Sequence, residues 1–331
     1  MSAAIGRDVE RAALCLRRGG LVGLPTETVY GLAGDGLSSA AVARIFSAKG
    51  RPSFDPLILH IHSADQVGTV ASAFPAPLRR LADAFWPGPL TLLLPKASAV
   101  PDAVTAGLPR VAVRVPSHPL ALELLAAFGG PLAAPSANPF GYVSPTTAAH
   151  VADQLGDAVD YILDGGPCAV GVESTIVGLE DGGRVVVHRP GGIPLEALAL
   201  VVEGEVGLGG SAAQEPTGLI APGTLSSHYA PSKGLRIAEN RRDALVWLES
   251  NPRGVLFSVG DPPRGAFQDR FWPLDPVGDG LAAAKNFYAF LRRLDASEFE
   301  AAVVERLPDA GLGRAVNDRL RRAAFAKTPG R

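Results

Sequence analysis

The sequence predicts an α/β protein in two parts, a larger N-terminal twisted mixed sheet covered by helices and a smaller C-terminal α/β domain. Strand-like apolar runs alternate with segments of helical period along the chain, the pattern of a sheet covered by helices. The length of 331 residues suggests two domains at roughly 150 residues each. A stretch rich in Gly, Pro and Ser at 204–234 has no clear period and marks the boundary.

Local signals predict the N-terminal elements in order. Apolar residues recur at helical spacing from Val9 to Leu16, and Gly19 and Gly20 supply a stop. Ser38 or Ser39 can cap a second helix that ends near Gly50. Further strands are predicted at 57–61, 90–94, 111–115, 161–163, 175–179 and 185–187, and further helices at 78–85, 120–128, 146–155 and 194–203.

The C-terminal part repeats this alternation, which predicts a small α/β domain. Strands are predicted at 254–259 and 301–304, and helices at 241–248, 281–294 and 312–325. The predicted domains are therefore 1–204, a linker at 205–234, and 235–331. Within the linker, the segment 221–231 combines hydroxyl groups with His228 and Tyr229, which favours a functional loop over a simple tether.

Composition excludes several classes of protein. No apolar run approaches the roughly 20 residues of a membrane span, and the N-terminus carries Asp8 and Glu10 without the apolar core of a signal peptide. We therefore expect a cytoplasmic location and no membrane partner. The net charge of -2 gives no nucleic-acid footprint. Cys15 and Cys168 are too far apart in sequence to suggest a metal site or a disulfide framework.

Four polar clusters follow apolar strands, and together they suggest one shared cleft. They lie at 25–30, at 135–138 with 144–147, at 173–175 and at 189–192. Each cluster alone is better explained by ordinary turn chemistry, and Ser144 could equally cap the next helix.

Four cations stand at the ends of apolar strands and helices, with no anionic partner evident from the sequence: Lys49, Arg51, Arg114 and Arg189. Burial of such groups without a partner is costly, so an anionic ligand such as a polyphosphate is indicated. Walker-type, dinucleotide-binding and Ser-His-Asp patterns are absent from the sequence. His60 and His62 share a strand face but make a poor metal site alone, so we expect no metal held by side chains. The residues by themselves indicate an anion-binding α/β enzyme or binding protein.

These motifs resemble those of the YrdC-like family of threonylcarbamoyl-adenylate synthases, in its longer two-domain form. The resemblance rests on PTETVYGL at 25–32, KGRP at 49–52, VAVR at 111–114, SAN at 136–138, ESTIV at 173–177 and RPG at 189–191. HYAP at 228–231 and GLGRAVNDRL at 311–320 extend it through the chain. It implies a YrdC-like catalytic domain at 1–204, a lid at 205–234 and a Rossmann-like domain at 235–331.

The resemblance also implies a reaction. L-threonine, bicarbonate and ATP would give threonylcarbamoyl-adenylate and pyrophosphate, with Mg²⁺ accompanying ATP. A partner transferase would then modify the tRNA adenosine next to the anticodon, and direct tRNA binding by this chain would be weak or absent. No protein nucleophile is needed, so catalysis would consist of positioning and electrostatics.

The resemblance further implies roles for individual residues. Lys49 and Arg51 would hold the phosphates and act as the catalytic residues. The threonine would be bound by Thr28, His60, Arg114, Ala134 and Ser174. ATP would in addition be contacted by Asp55, Arg110, Ser136, Asn138, Ser144, Arg189 and Tyr229, the last as part of the lid.

Some positions depart from the family's pattern. Asp55 stands where asparagine is usual, and it could pair with Arg51 or help bind a metal. Arg110 replaces a usual threonine, and Gly178 replaces a usual aspartate. Two rival functions are a non-catalytic RNA-binding protein, which the acidic balance of residues 1–234 opposes, and a carbamoyl-phosphate-using transferase, whose usual cysteine-rich segments are missing here. The role of the C-terminal domain and the oligomeric state stay open.

Overall fold

The computed structural model describes residues 3–202, 205–209, 214–215, 218–219, 221–223, 225, 228–261 and 267–325. The chain forms two compact units. The larger unit comprises Met1–Phe140, Ser144–Ala169 and Glu173–Thr224, and the smaller one comprises Gly141–Val143, Val170–Val172 and Leu225–Arg331.

A mixed sheet of 11 strands forms the centre of the larger unit. Its strands are β1 (Ala4–Gly6), β2 (Val22–Leu24), β3 (Gly31–Asp35), β4 (Ile58–His60), β5 (Leu90–Pro95), β6 (Arg110–Arg114), β7 (Leu132–Ala133), β8 (Tyr161–Leu163), β9 (Thr175–Leu179), β10 (Val185–Arg189) and β11 (Gly207–Leu208). The spatial order is β1-β8-β2-β3-β7-β4-β6-β5-β9-β10-β11. β4 runs parallel to β6, whereas β5 runs antiparallel to β6, which confirms the expected mixed sheet. A separate hairpin pairs β12 (Gln214–Glu215) with β13 (Gly218–Leu219).

Helices of the larger unit begin and end where the sequence has capping residues. Asp8 accepts a hydrogen bond from the Arg11 amide at the start of the first helix, and Ser38 accepts one from the Ala41 amide at the start of the second. The helices are α1 (Val9–Arg17), α2 (Ser39–Lys49), α3 (Val67–Val70), α4 (Ala76–Phe85), α5 (Asp102–Thr105), α6 (Pro119–Phe128), α7 (Ala148–Leu155) and α8 (Leu195–Val201).

The central strands bury their two faces differently. Side chains alternate between the faces of a strand, and one face lies in the main apolar core with Leu59, Leu92, Val113 and Val177. The opposite face, which we call the cleft face, carries a small apolar cluster with Ala221 against it. We call the four strand residues of this cluster the floor: Ile58, Leu93, Ala112 and Ile176.

The smaller unit contains a four-stranded parallel sheet in the order β14-β17-β15-β16, with helices between its strands, as expected for a Rossmann-like domain. Its strands are β14 (Gly234–Ala238), β15 (Gly254–Val259), β16 (Phe271–Asp275) and β17 (Ala301–Glu305). Its helices are α9 (Arg241–Ser250), α10 (Leu281–Ala296) and α11 (Gly313–Phe325). The described ranges contain no helix with the length and apolar character needed to cross a bilayer.

Most predicted elements are confirmed. The strands at 161–163, 175–179 and 254–259 match residue for residue. The sequence reading missed β14 and β16. Pro273 interrupts the apolar run of β16, and the structure accommodates this proline because β16 is an edge strand of its sheet.

Candidate active site

The polar residues of the cleft face converge where β4 and β6 end. His60 and Arg114 are in register as the last residues of these two parallel strands, and both are buried. Parallel strands bring their carboxyl ends to the same edge of a sheet, so the two side chains lie side by side. This edge is the centre of the candidate site.

Arg114 is held by three neighbours. Its Nη2 lies 2.6 Å from Glu27 Oε1, its Nη1 donates to Thr28 Oγ1 at 2.9 Å, and its Nε donates to the Gly88 carbonyl at 3.2 Å. The expectation that Arg114 lacks an anionic partner is therefore wrong. The loop between β2 and β3 supplies the missing carboxylate, a partner distant in sequence.

Glu27 is a functional candidate that the sequence reasoning did not single out. It is buried, and its Oε2 accepts a hydrogen bond from the Ser117 amide at 3.2 Å. Burial alone would raise the pKa of Glu27, but the charge and hydrogen bond of Arg114 outweigh it and lower the pKa. Glu27 is thus an ionised carboxylate at neutral pH. Its place between Thr26 and Thr28, in the first polar cluster, was the available signal.

His60 is neutral in this site. Burial, and next the positive charge of Arg114, lower the pKa of His60 to about 3. Its imidazole therefore adds no positive charge at the edge where Arg114 already supplies one.

Ser174 and Arg189 form a second contact group beside the first. Arg189 Nη2 donates to both the carbonyl and the hydroxyl of Ser174, at 2.9 and 3.1 Å. The Ser174 hydroxyl also lies 2.7 Å from Thr91 Oγ1. Thr91, on β5, is another polar residue of the site that the sequence reasoning missed, because it lies inside an apolar run.

Lys49 and Arg51 stand at the end of α2, where Gly50 turns the chain with φ of 58°. Lys49 Nζ donates to the carbonyls of Ser136, at 2.6 Å, and Asn138. Burial, and next the charge of Arg51, lower the pKa of Lys49 well below its usual range. Lys49 is thus a buried amine whose charged form is disfavoured in the free site.

Arg51 also has an anionic partner, so the expectation of an unpaired cation is wrong here too. Its Nη2 lies 2.8 Å from Asp55 Oδ1, and its Nε donates to the Asp55 carbonyl at 3.0 Å. Of the two alternatives for Asp55, the pair with Arg51 is confirmed. Burial raises the pKa of Asp55, while the charges of Arg51, Lys49 and Arg189 act in the opposite direction.

The segment Ala221–Gly223 of the predicted linker lies on the cleft face within the larger unit. Ala221 contacts the floor, and Arg189 Nη1 donates to the Pro222 carbonyl at 3.0 Å. The backbone amide of Gly223 acts to lower the pKa of Asp55. This segment therefore lies close both to Arg189 and to Asp55, the partner of Arg51.

The remaining predicted residues around this edge are held by close contacts. The backbone of Ser136 pairs with that of Gly31, on β3, in an isolated antiparallel β-bridge. The Ala134 amide donates to the Ile58 carbonyl at 3.0 Å. Asn138 Nδ2 donates to the Pro139 carbonyl at 2.8 Å. The Ser144 hydroxyl donates to Glu173 Oε1 at 2.7 Å, directly before β9.

Arg110 and Tyr229, two further predicted residues, have the following neighbours. Arg110 is the first residue of β6, at the opposite end of the strand from Arg114, and its Nη1 donates to the Leu179 carbonyl at 3.3 Å. Tyr229 belongs to the smaller unit, where its buried ring lies 5.8 Å from the ring of Tyr288 and 5.3 Å from the guanidinium carbon of Arg319.

Two family models match the chain. The model of the Sua5, YciO and YrdC proteins, described as "Telomere recombination", matches residues 15–191. A second model, described as "Threonylcarbamoyl-AMP synthase, C-terminal domain", matches residues 193–325.

Several relatives match this chain over nearly its full length. A threonylcarbamoyl-AMP synthase of Pyrococcus abyssi is 41% identical, with 95% of this chain and 93% of the relative covered. One of Bacillus subtilis is 38% identical, with 96% and 93% covered. The crystal structure of P. abyssi Sua5 complexed with L-threonine is 39% identical and superposes with a TM-score of 0.87 over 98% of each chain. E. coli YciO, at 24% identity and a TM-score of 0.50, covers 58% of this chain and 96% of its own, and it shares the fold of that part.

Proposed function

Because the chain belongs to the Sua5, YciO and YrdC family, we propose that it converts L-threonine, bicarbonate and ATP into threonylcarbamoyl-adenylate and pyrophosphate. The chain is an enzyme of the nucleotidyltransferase type. One observation carries the proposal. The charges of Lys49, Arg51 and Arg189 all act on Asp55, and Arg189 and Arg114 belong to strands of the same sheet, which supports a site that binds a polyphosphate and a carboxylate together.

Arg114 is the proposed ligand of the threonine carboxylate. Each of its terminal nitrogens carries two N–H groups and uses one toward Glu27 or Thr28. A second donor on each remains for a carboxylate, which a guanidinium binds through two parallel hydrogen bonds. The solved complex of P. abyssi Sua5 contains L-threonine, which supports threonine as the substrate that carries this carboxylate. Thr28, His60, Ala134 and Ser174 are proposed to complete the threonine site.

The reaction requires an uncharged threonine amine. The amine nitrogen forms a bond to the carbon derived from bicarbonate with loss of water, and the carbamate oxygen then bonds to the α-phosphorus as the bond to pyrophosphate breaks. Neutral His60 leaves a ring nitrogen able to accept a hydrogen bond from this amine. No protein nucleophile takes part, so the chain acts by holding the reactants in line.

The phosphates are proposed to bind at Lys49, Arg51 and Arg189. Negative charge from a polyphosphate would favour the charged form of Lys49, whose pKa is low in the free site. Arg189 would exchange the Pro222 carbonyl for a phosphate oxygen. Asp55, Ser136, Asn138, Ser144 and Arg110 are proposed to contact the rest of the nucleotide, and Tyr229 to act from the linker.

A magnesium ion is proposed to arrive with ATP and to shield its phosphate charge. In the described part of the chain, no group of three or more His, Cys, Asp or Glu side chains could hold a metal. Magnesium commonly uses one or two carboxylates together with substrate phosphates. We therefore propose that the phosphates of ATP hold this ion.

The product is proposed to supply a partner transferase that modifies tRNA adenosine next to the anticodon. This chain would contact tRNA weakly or not at all, since its net charge is -2 and phosphate contacts depend on clustered cations.

The test is pyrophosphate release by the purified protein with ATP and magnesium, omitting threonine or bicarbonate in turn. Release that requires both supports the proposal, whereas release indifferent to either one, or no release, contradicts it. Replacing ATP and bicarbonate with carbamoyl phosphate tests the rival transferase activity in the same assay.

A further inference from the structure

The cleft face includes residues that the family resemblance did not single out, namely the floor and its surroundings. From Arg114, β6 runs back past Ala112 of the floor to Arg110, and all three side chains lie on this face because they alternate along the strand. The two arginines are about 13 Å apart at roughly 3.3 Å per residue. An apolar surface bounded by cations at both ends suits a flat aromatic ring with a charged tail.

The imidazole of His188 borders the floor. A Cβ atom built on Gly178 would lie 2.9 Å from His188 Nε2 and 3.3 Å from the Cβ of Leu93, a floor residue. The ring of His188 therefore takes the space that a side chain at position 178 would need. The glycine at position 178 of β9 thus leaves room for the His188 ring on the neighbouring strand β10.

His188 Nε2 is buried and has no hydrogen-bond partner within the part of the chain that the structure describes. A buried polar atom left without a partner destabilises a folded protein. Such an atom in a native structure calls for an explanation, for example a bound water, an ion or a functional role. The position of this atom beside the floor makes a ligand the natural partner.

His188 is available as a hydrogen-bond acceptor. Burial, and next the charge of Arg110, lower the pKa of His188 to about 4. The ring is therefore neutral at pH 7, and one of its two nitrogens can accept a hydrogen bond. Arg110, which can only donate, stands on the same face and complements it.

We propose that His188 Nε2 accepts a hydrogen bond from the exocyclic amine of adenine while the base lies on the floor, so that His188 is a specificity-determining residue for the nucleotide. The inference rests on the proposed function, in which Lys49, Arg51 and Arg189 bind the phosphates. The donor Arg110 complements the ring nitrogens of adenine, which are acceptors. Ala221 contacts the floor in this structure, so the base and Ala221 exclude each other there.

The test compares ATP with purine riboside 5′-triphosphate, which lacks only the exocyclic amine, in the pyrophosphate-release assay with threonine and bicarbonate. We expect the unmodified protein to prefer ATP in kcat/KM by about tenfold, the value of one hydrogen bond that reads a substrate group. In His188→Leu this preference should fall to about one through a higher KM for ATP, with the KM for threonine unchanged.

Two further variants separate base recognition from a structural effect. Gly178→Ala should also reduce the preference, because the added methyl displaces the His188 ring without removing it. The matched control, His62→Leu, changes an exposed histidine outside the site and should keep the preference of the unmodified protein.

The outcomes distinguish this inference from the proposed function. An active His188→Leu variant with the original preference, or an unmodified protein without any preference for ATP, overturns the role of His188 and leaves the synthase proposal standing. If His188→Leu does not fold, an unchanged preference in Gly178→Ala overturns it. Absence of threonine-dependent pyrophosphate release by the unmodified protein overturns the proposed function instead.

Discussion

Arg114 and Glu27 form a buried ion pair that fixes a guanidinium. The salt bridge at 2.6 Å and the bond to Thr28 fix the plane of the guanidinium. In the proposed threonine site, Glu27 acts on the substrate through Arg114, so its proposed role is that of a positioning residue. A fixed guanidinium loses less freedom when it binds a ligand than a mobile one.

Replacing Arg114 with lysine should raise the KM for threonine by about tenfold or more, since an ammonium cannot form the bidentate pair with a carboxylate. Steady-state kinetics with threonine varied at saturating ATP measures this effect. The KM for ATP serves as the internal control and should stay within about twofold. Unchanged dependence on threonine would remove the assignment of Arg114.

Lys49 should make ATP binding sensitive to pH. Its pKa in the free site is lowered, mainly by burial, so the charged form that binds phosphate is lost at a lower pH than for an ordinary lysine. We therefore expect the KM for ATP to rise as the pH is raised above neutrality. Lys49→Arg, which stays protonated, should flatten this rise, and a rise of equal steepness in the variant would show that another group is responsible.

At the scale of elements, the end of α2 decides where Lys49 and Arg51, the cations proposed to bind phosphate, stand. Gly50 adopts φ of 58° and turns the chain between Lys49, the last helical residue, and Arg51. Only glycine takes this conformation without strain. The Gly50 signal is local, which is why the sequence predicted this helix end correctly.

Gly50→Ala should lower the free energy of unfolding by about 1–2 kcal/mol from backbone strain alone, because a Cβ at this position meets no atom within 4 Å. The same strain should shift Lys49 or Arg51 and raise the KM for ATP. Thermal unfolding and steady-state kinetics measure the two effects. Gly68→Ala is the matched control, since its Cβ also meets no atom and its φ is not positive. An equal loss of stability in both variants would contradict the explanation.

At the scale of the whole molecule, the predicted linker contributes residues to both compact units. Ala221–Gly223 contacts the cleft face within the larger unit, while Tyr229 is buried within the smaller one. The predicted boundaries at 204 and 234 stay predictions. The role of Tyr229 toward the nucleotide also stays a prediction.

Deleting residues 222–231 should weaken ATP binding if the linker acts as a lid, because the nucleotide would lose contacts on its open side. Equilibrium binding of ATP to the deleted and unmodified proteins, each checked by thermal unfolding for a folded state, measures this effect. An unaltered affinity in a folded deletion variant would contradict the lid.

The sequence by itself determined the alternation of strands and helices, the end of α2 and the polar motifs that make up most of the site. These depend on the period of apolar residues and on turn and capping residues a few positions apart. It also placed Asp55 beside Arg51, since the two are neighbours in the chain. Only the tertiary structure decided that Glu27 neutralises Arg114, that Thr91 supports Ser174 and that His188 lies over Gly178. Each of these pairs joins different strands or loops, and strand order and register, which bring such residues together, are not encoded in any local pattern.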